Sequence, residues 1–282
     1  MTTVRELITS TIEVVGDAQH ARWIVAEAVA TDDLDAVINE AVTERMVAHL
    51  DSMVARYRTG EPLQYVLGRW SFRYLDLAID PRVLIPRPET ELVAGVAIDL
   101  ALAVAEPRRV IDLGTGSGAI GLSLAYELPL DGTEVWITDI DDDALDVARA
   151  NLAGLGRSAR NVRVLRSDWF DELPSDLKAH VIVSNPPYIA EHSPLLDDSV
   201  AQHEPARALF GGSDGLVALR TIIETAPRYL VEGGWLVLEI GADQGVAVKD
   251  LLADAGYHEI ALRTDLAGLD RVAIGRAPVS RS

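Results

Sequence analysis

Val110-Ile-Asp-Leu-Gly-Thr-Gly-Ser-Gly118 runs from an apolar strand directly into a helix, and the rest of the fold can be placed around it. Glycines at 114, 116 and 118 permit a tight turn and let a ligand approach the backbone with no Cβ in the way. The spacing is GxGxG. It is neither the GxGxxG of dinucleotide sites nor a loop that closes with Gly-Lys-Ser/Thr around a triphosphate. From about Pro107 onward, strand-like and helix-like runs alternate. Strands are predicted over 110–113, 134–138, 162–165, 180–184 and 235–240, and helices over 118–127, 142–155 and 215–229. This is the βαβ rhythm of a doubly wound parallel sheet. The rhythm breaks at the end. Residues 259–263 and 271–274 read as strands joined by a connection too short for a helix, so they are expected to pair antiparallel.

A Gly-rich turn alone is a poor witness to a ligand, since many α/β proteins use one only to reverse the chain. Two further acids strengthen the reading. Asp139 ends the second strand, where a carboxylate can accept hydrogen bonds from two ribose hydroxyls; the alternative is a helix N-cap. Ser167-Asp-Trp-Phe170 ends the third strand, and there Asp168 can meet an adenine amino group while Trp169 covers the ring face; the alternative for Trp169 is core packing. All these groups sit at carboxyl ends of consecutive strands, the ligand side of such sheets. A shared adenosine ligand is the common explanation.

The fourth strand ends in Asn185-Pro186-Pro187-Tyr188. Two prolines remove two N–H donors, so the local backbone offers mainly carbonyl acceptors. Asn185 adds a side-chain carbonyl. A planar NH2 group has two donors, and the Asn185 oxygen and the Pro186 carbonyl can accept them. Tyr188 can stack on the planar group. This holds the nitrogen against a methyl sulfonium, S-adenosylmethionine, for direct displacement, with no strong base required. The bland alternative is a rigid turn. A planar NH2 occurs on a glutamine side chain and on a nucleobase alike, so the tetrapeptide leaves the substrate open.

Residues 1–62 read as a small bundle of short helices, over 4–15, 18–30, 34–39 and 43–57, with Asp17 and Thr43 as N-caps. Residues 63–86, rich in aromatic and branched side chains, suggest a β-hairpin linker. Residues 87–282 form the catalytic domain. Pro88 suits a helix first turn, and Glu89 and Glu91 suit its positive end. Residues 210–215 are expected to be a mobile flap or a flexible lead into the next helix. Asp197, Asp198 and Glu204 are expected to be solvated.

The net charge is −19. That argues against a nucleic-acid-gripping face, although Arg56, Arg58, Arg69, Arg73, Arg82 and Arg87 cluster in the first third; they are expected to be surface arginines offset by neighbouring acids. There is no cysteine, hence no disulfide framework, which fits a reducing cytoplasm. No apolar run approaches the ~20 residues of a membrane helix. The six histidines form no close pair at ligand spacing, so no metal is expected.

The chain also resembles the HemK/PrmC family, the release factor glutamine methyltransferases. The likeness lies in Gly60-Glu-Pro-Leu-Gln-Tyr-Val-Leu-Gly68, Leu84-Ile-Pro-Arg-Pro-Glu-Thr-Glu91, Asp112-Leu-Gly-Thr-Gly-Ser-Gly118, Ser184-Asn-Pro-Pro-Tyr188, Leu209-Phe-Gly-Gly-Ser-Asp-Gly215 and Leu238-Glu-Ile-Gly241. It implies a Rossmann-like class I methyltransferase domain with a seven-stranded, mostly parallel sheet and an antiparallel last strand, preceded by a small helical domain. It implies N5-methylation of the glutamine in the Gly-Gly-Gln tip of class I release factors, by a cytoplasmic monomer. Gly114, Thr115, Gly116, Ser117, Gly118, Asp139, Asp168, Trp169 and Asn185 would bind S-adenosylmethionine. Asn185, Pro186, Pro187 and Tyr188 would hold the glutamine, with Asn185, Pro186 and Tyr188 catalytic. Glutamine of a ribosomal protein, an exocyclic base nitrogen, and a module that has lost catalysis are the rival readings. The intact glycines and Asn185 oppose the last.

Overall fold

The computed structural model describes residues 2–191 and 202–278; Asp197 and Asp198 lie outside them. The chain falls into two compact units, the first running to Trp70 and the second beginning at Ser71, with Gln202 and His203 going with the first.

The first unit holds helices α1 (Val4–Val15), α2 (Ala18–Val29), α3 (Glu44–Arg58) and α4 (Leu63–Leu67). Thr3 and Glu6 form a reciprocal capping box on α1, and Asp17 accepts from the His20 N–H at 2.8 Å at the start of α2. Thr43 caps α3 in the same way, accepting from the Met46 N–H. Their apolar faces meet in one cluster containing Leu7, Ile24, Val25, Leu50, Met53 and Val66.

Two expectations fail in this unit. Residues 34–39 form turns, not a helix. Asp33 Oδ1 accepts from the Asp35 and Ala36 N–H groups, which caps a first turn that goes no further as a helix. The Ile38 and Glu40 carbonyls are meanwhile taken by the Arg5 and Val4 N–H groups. Residues 63–67 are the helix α4, not part of a ribbon. Pro62 precedes it, and Gly68 closes it with a left-handed φ of 73°. Burial of Leu63 and Val66 at helical spacing overrides the β-like composition. The hairpin is therefore shorter, with β1 (Arg69–Phe72) and β2 (Leu75–Ala78).

In the second unit, α5 (Pro88–Leu102) does start at Pro88, with Glu89 and Glu91 in its first turn. Then follow β3 (Arg108–Leu113), α6 (Ala119–Glu127), β4 (Thr133–Asp139), α7 (Asp142–Gly154), β5 (Val162–Arg166) and β6 (Ala179–Ser184). After them come α8 (Ala206–Leu209), α9 (Val217–Thr225), β7 (Leu230–Glu239), α10 (Gly245–Asp254), β8 (His258–Thr264) and β9 (Asp270–Arg276). The sheet order is β5-β4-β3-β6-β7-β9-β8. The pairings among β3 to β7 are parallel, and β9 runs antiparallel to both β7 and β8. Ile111, Val181, Ile182 and Leu236 are fully buried, as parallel strands covered by helices on both faces require. The chain winds outward from β3 to β5, then returns to β6 on the other flank of β3. The carboxyl ends of β3 and β6 thus flank a topological switch point, where open sheets bind ligands.

The arginines of the first third are mostly matched by acids: Arg56 with Glu61, Arg69 with Glu27, Arg73 with Glu127 and Arg82 with Asp80. Arg73 is not a solvated surface group, since it reaches both Glu127 oxygens, at 2.6 and 2.7 Å, from a largely buried position. Among the described residues no helix is long and apolar enough to cross a membrane, and no cluster of three or more His, Asp or Glu could hold a metal.

Candidate active site

A cleft of about 380 Å³ opens at these carboxyl ends, within the size range of small-ligand sites. The turn after β3 contributes Gly114, Thr115, Gly116 and Ser117. Asp139 comes from the end of β4, Asp168 and Trp169 from the end of β5, and Asn185 and Pro187 from the end of β6. The sequence places these groups at four separate strand ends, and the fold gathers them. Gly118, Pro186 and Tyr188 do not line the cleft. Gly118 is the left-handed residue (φ 89°) that turns the chain into α6. Pro186 is buried, and Tyr188 turns its hydroxyl toward Glu239.

Asp112 organises the glycine turn. Its Oδ2 accepts from the Thr115 hydroxyl at 2.5 Å and from the Gly121 N–H at 2.9 Å. Burial pushes its carboxyl up to about 7, against those two hydrogen bonds. A carboxyl raised in the folded state holds a proton that the unfolded chain has released, so its contribution to stability fades as pH rises from 3.8 to about 7. Asp112→Asn removes that titration. The stability of wild type relative to Asp112→Asn is expected to decline across this window, read by denaturant unfolding at stepped pH. A constant difference would contradict a buried, raised Asp112.

Asp139 accepts from the Gly116 N–H at 2.9 Å and from the Asp141 N–H at 3.0 Å. The helix-cap alternative goes to Asp141, which accepts from Asp143 N–H at the start of α7. Burial raises the Asp139 carboxyl above its ordinary value. Trp169 is half-buried, packs partly against the core, and also faces the cleft, so both readings of it hold. Its φ of 48° is a left-handed conformation that costs a bulky residue energy and is found at sites the fold over-determines. A Cβ on Gly114 would stand 3.5 Å from the Trp169 ring, so the glycine turn and the indole share one wall.

Ser184 Oγ donates to the Leu113 carbonyl at 2.7 Å and ties the end of β6 to that of β3. Asn185 Nδ2 donates to Thr90 Oγ1 at 3.3 Å. Its Oδ1 has no partner among the described residues. The loop at 210–215 is tied to the chain just after the tetrapeptide, the Gly211 N–H donating to the Ile189 carbonyl at 2.8 Å. It packs backbone to backbone on the tetrapeptide: Phe210 bridges Ile189, and a Cβ on Gly215 would lie 2.4 Å from the Tyr188 carbonyl. Gln244 Nε2 donates to that same carbonyl at 2.9 Å.

Residues 97–203 match the methyltransferase small domain, and residues 10–68 match the PrmC N-terminal domain. A release factor glutamine methyltransferase of Burkholderia pseudomallei is 42% identical over 267 residues, covering 93% of both chains. This chain belongs to the release factor glutamine methyltransferase family. The Escherichia coli relative is 40% identical over 235 residues, covering 83% of this chain and 82% of that one. A methyltransferase from Pyrococcus furiosus superposes with a TM-score of 0.55 at 19% identity, over 81% of this chain and 100% of that one, and shares the fold.

The methyl donor of a family member is S-adenosylmethionine, and the cleft fits it. Asp139 keeps lone pairs for a ribose diol beyond the two backbone N–H groups it accepts. Asp168, Trp169 and Asn185 line the same space.

Several residues of the site had no readable role in the sequence. Arg82, Leu84, Pro86 and Thr90 precede or open α5, and Arg207 and Phe210 lie on or beside α8; all line the cleft. Glu204 corrects an expectation. It is 5% exposed, not solvated. It accepts from the Arg87 guanidinium at 2.5 Å and from the Ile85 N–H at 3.2 Å. The acid therefore pins the Pro86–Glu91 wall, and Arg87 is a buried-pair partner, not a surface cation. Only a long-range pairing across 117 residues reveals this. Arg87→Ala strands the buried carboxylate and is expected to cost about 3 kcal/mol of folding stability, measured by chemical denaturation. A loss as small as that of an exposed pair would show that Glu204 reaches water.

Proposed function

We propose that this chain transfers the methyl group of S-adenosylmethionine to the N5 amide nitrogen of the glutamine in the Gly-Gly-Gln tip of class I peptide chain release factors. The observation that carries the reading is the state of Asn185: it lines the cleft, its amide nitrogen is committed to Thr90, and its oxygen has no partner among the described residues. Bound donor supplies an activated methyl group. Asn185 Oδ1 accepts one N–H of the substrate amide. The Pro186 carbonyl, which takes no hydrogen bond among the described residues although Pro186 itself does not line the cleft, is the acceptor proposed for the other. When bound, the donor would give its methyl carbon to the substrate nitrogen as its carbon–sulfur bond breaks, leaving as S-adenosylhomocysteine, and the proton lost by the nitrogen would pass to solvent water. Positioning of this kind contributes several kcal/mol, and carbonyl dipoles stabilise the positive charge that develops on nitrogen. Pro187 and Tyr188 complete the substrate side, and Gly114 to Gly118, Asp139, Asp168 and Trp169 the donor side.

The helical first unit serves release factor recognition in this reading, supported by the PrmC N-terminal match over residues 10–68. The protein acts as a cytoplasmic monomer without a nucleic acid partner, a reading supported by the charge of −19.

The test combines the protein and labelled S-adenosylmethionine with a release factor, the same factor with its tip glutamine replaced by alanine, a ribosomal protein mixture and DNA. Label is expected on the intact release factor alone. Label on DNA or ribosomal protein and not on the factor would overturn the proposal.

A further inference from the structure

Behind the tetrapeptide lies a buried carboxyl that the reaction as described does not use. Glu239, at the end of β7, is fully buried. Its Oε1 accepts from the Tyr188 hydroxyl at 3.2 Å, and its Oε2 has no donor in good geometry. The Thr90 hydroxyl, from the first turn of α5, stands beside this carboxyl and favours its charged form. A hydroxyl hydrogen rotates to the acceptor that needs it, and the Glu239 carboxyl, with one oxygen left without a donor, is the acceptor beside Thr90. Thr90 Oγ1 is also the atom that receives Asn185 Nδ2. Two donors are fixed, Asn185 N–H to Thr90 and Tyr188 O–H to Glu239, and the Thr90 hydroxyl lies between them with this carboxyl as its neighbouring acceptor.

We propose that Glu239 and Thr90 are positioning residues that set the polarity of the methyl-acceptor pocket: a carboxylate that can only accept forces Thr90 to donate. Thr90 then accepts from Asn185, which leaves the Asn185 oxygen, not its nitrogen, to meet the substrate amide. An asparagine side chain is nearly symmetrical in shape, so packing alone selects weakly between its two orientations. The wrong one would present a donor to a donor. The same carboxylate anchors Tyr188, so one buried group fixes both ends of the tetrapeptide. The inference rests on the reading of Asn185 as the amide acceptor.

Protonation of Glu239 would let it donate toward Thr90 and release the constraint. Burial raises this carboxyl to about 7. The charged groups around it are Glu89 on α5, which opposes its ionisation, and Arg271 on β9, which favours it; Tyr188 and Thr90 are its hydrogen-bonding neighbours. Turnover is accordingly expected to fall as pH drops through about 7.

The test uses the full-length chain with a release factor. Thr90→Val, which keeps shape and loses the hydroxyl, is expected to lower kcat about tenfold or more with S-adenosylmethionine affinity unchanged, and Thr90→Ser to restore it. Glu239→Gln is expected to lower kcat similarly and to flatten its pH dependence. A second readout needs no substrate. The Asn185 side-chain NH2 resonance, assigned by its disappearance in Asn185→Asp, is expected to be single in the wild type and to split or broaden in Thr90→Val and Glu239→Gln. Wild-type kcat in both variants with an unchanged resonance would overturn the proposal, as would a kcat loss matched by equal loss of donor affinity. Failure of the wild type to methylate any release factor would instead overturn the substrate reading, and the resonance would still decide this one.

Discussion

Asn185→Ala is expected to leave S-adenosylmethionine affinity nearly unchanged while turnover falls about 100- to 1000-fold, the scale set by removal of one preorganised polar group from a reaction centre. In the proposed reading the donor is bound mainly by the turn after β3 and by the acids at the ends of β4 and β5, which line the cleft from other strands than the one that carries Asn185. What the alanine removes is the acceptor that holds one N–H of the substrate and opposes the charge growing on its nitrogen. Thr90, itself buried, loses the one side chain that donates to it among the described residues. Isothermal titration with S-adenosylmethionine and single-turnover methylation of a release factor separate the two quantities. Near-normal turnover in Asn185→Ala would remove the side chain from the chemistry. A parallel loss of donor affinity would move it to the donor side.

Asp139→Ala is expected to have the opposite signature: donor affinity weaker by about a hundredfold, with kcat at saturation close to wild type. Hydrogen bonds to a charged acceptor contribute about 1.5–3 kcal/mol each, and a ribose diol offers two. The alanine also frees the Gly116 and Asp141 N–H groups, which loosens the turn that cradles the ligand. Asp139→Asn keeps an oxygen for one of them and is expected to fall between. Because burial raises the Asp139 carboxyl, donor binding to the wild type weakens on acidification, as the acid form trades an acceptor for a donor. Normal affinity in Asp139→Ala would leave the residue a structural tie of the glycine turn and nothing more.

These two residues were legible in the sequence because each sits at a strand end, and strand ends in an alternating βα chain converge by topology. The antiparallel finish was legible for a similar reason: five residues between β8 and β9 leave no room for a crossover helix. Glu204, Thr90 and Glu239 could not be assigned roles this way. Each acts through a partner far along the chain: Glu204 through Arg87, Thr90 through Asn185, and Glu239 through Tyr188. An acid among acids and alanines reads as solvated until its partner is placed beside it. Residues 34–39 misled for a long-range reason, since the Ile38 and Glu40 carbonyls are taken by the Arg5 and Val4 N–H groups. At 63–67 the composition suggested a strand, and a proline–glycine bracket with buried leucine and valine produced a helix.

The strand order carries a consequence for synthesis. β9 lies between β7 and β8, so β8, although made first, has no neighbour in the sheet until β9 has been made. During translation β7 presents an open edge and β8 remains an unpaired ribbon, the kind of surface that recruits other chains. The sheet closes late, by insertion of β9 into a waiting slot. A nascent chain halted before Asp270 is therefore expected to depend on chaperones or to aggregate, even though every group that lines its catalytic cleft has already been made.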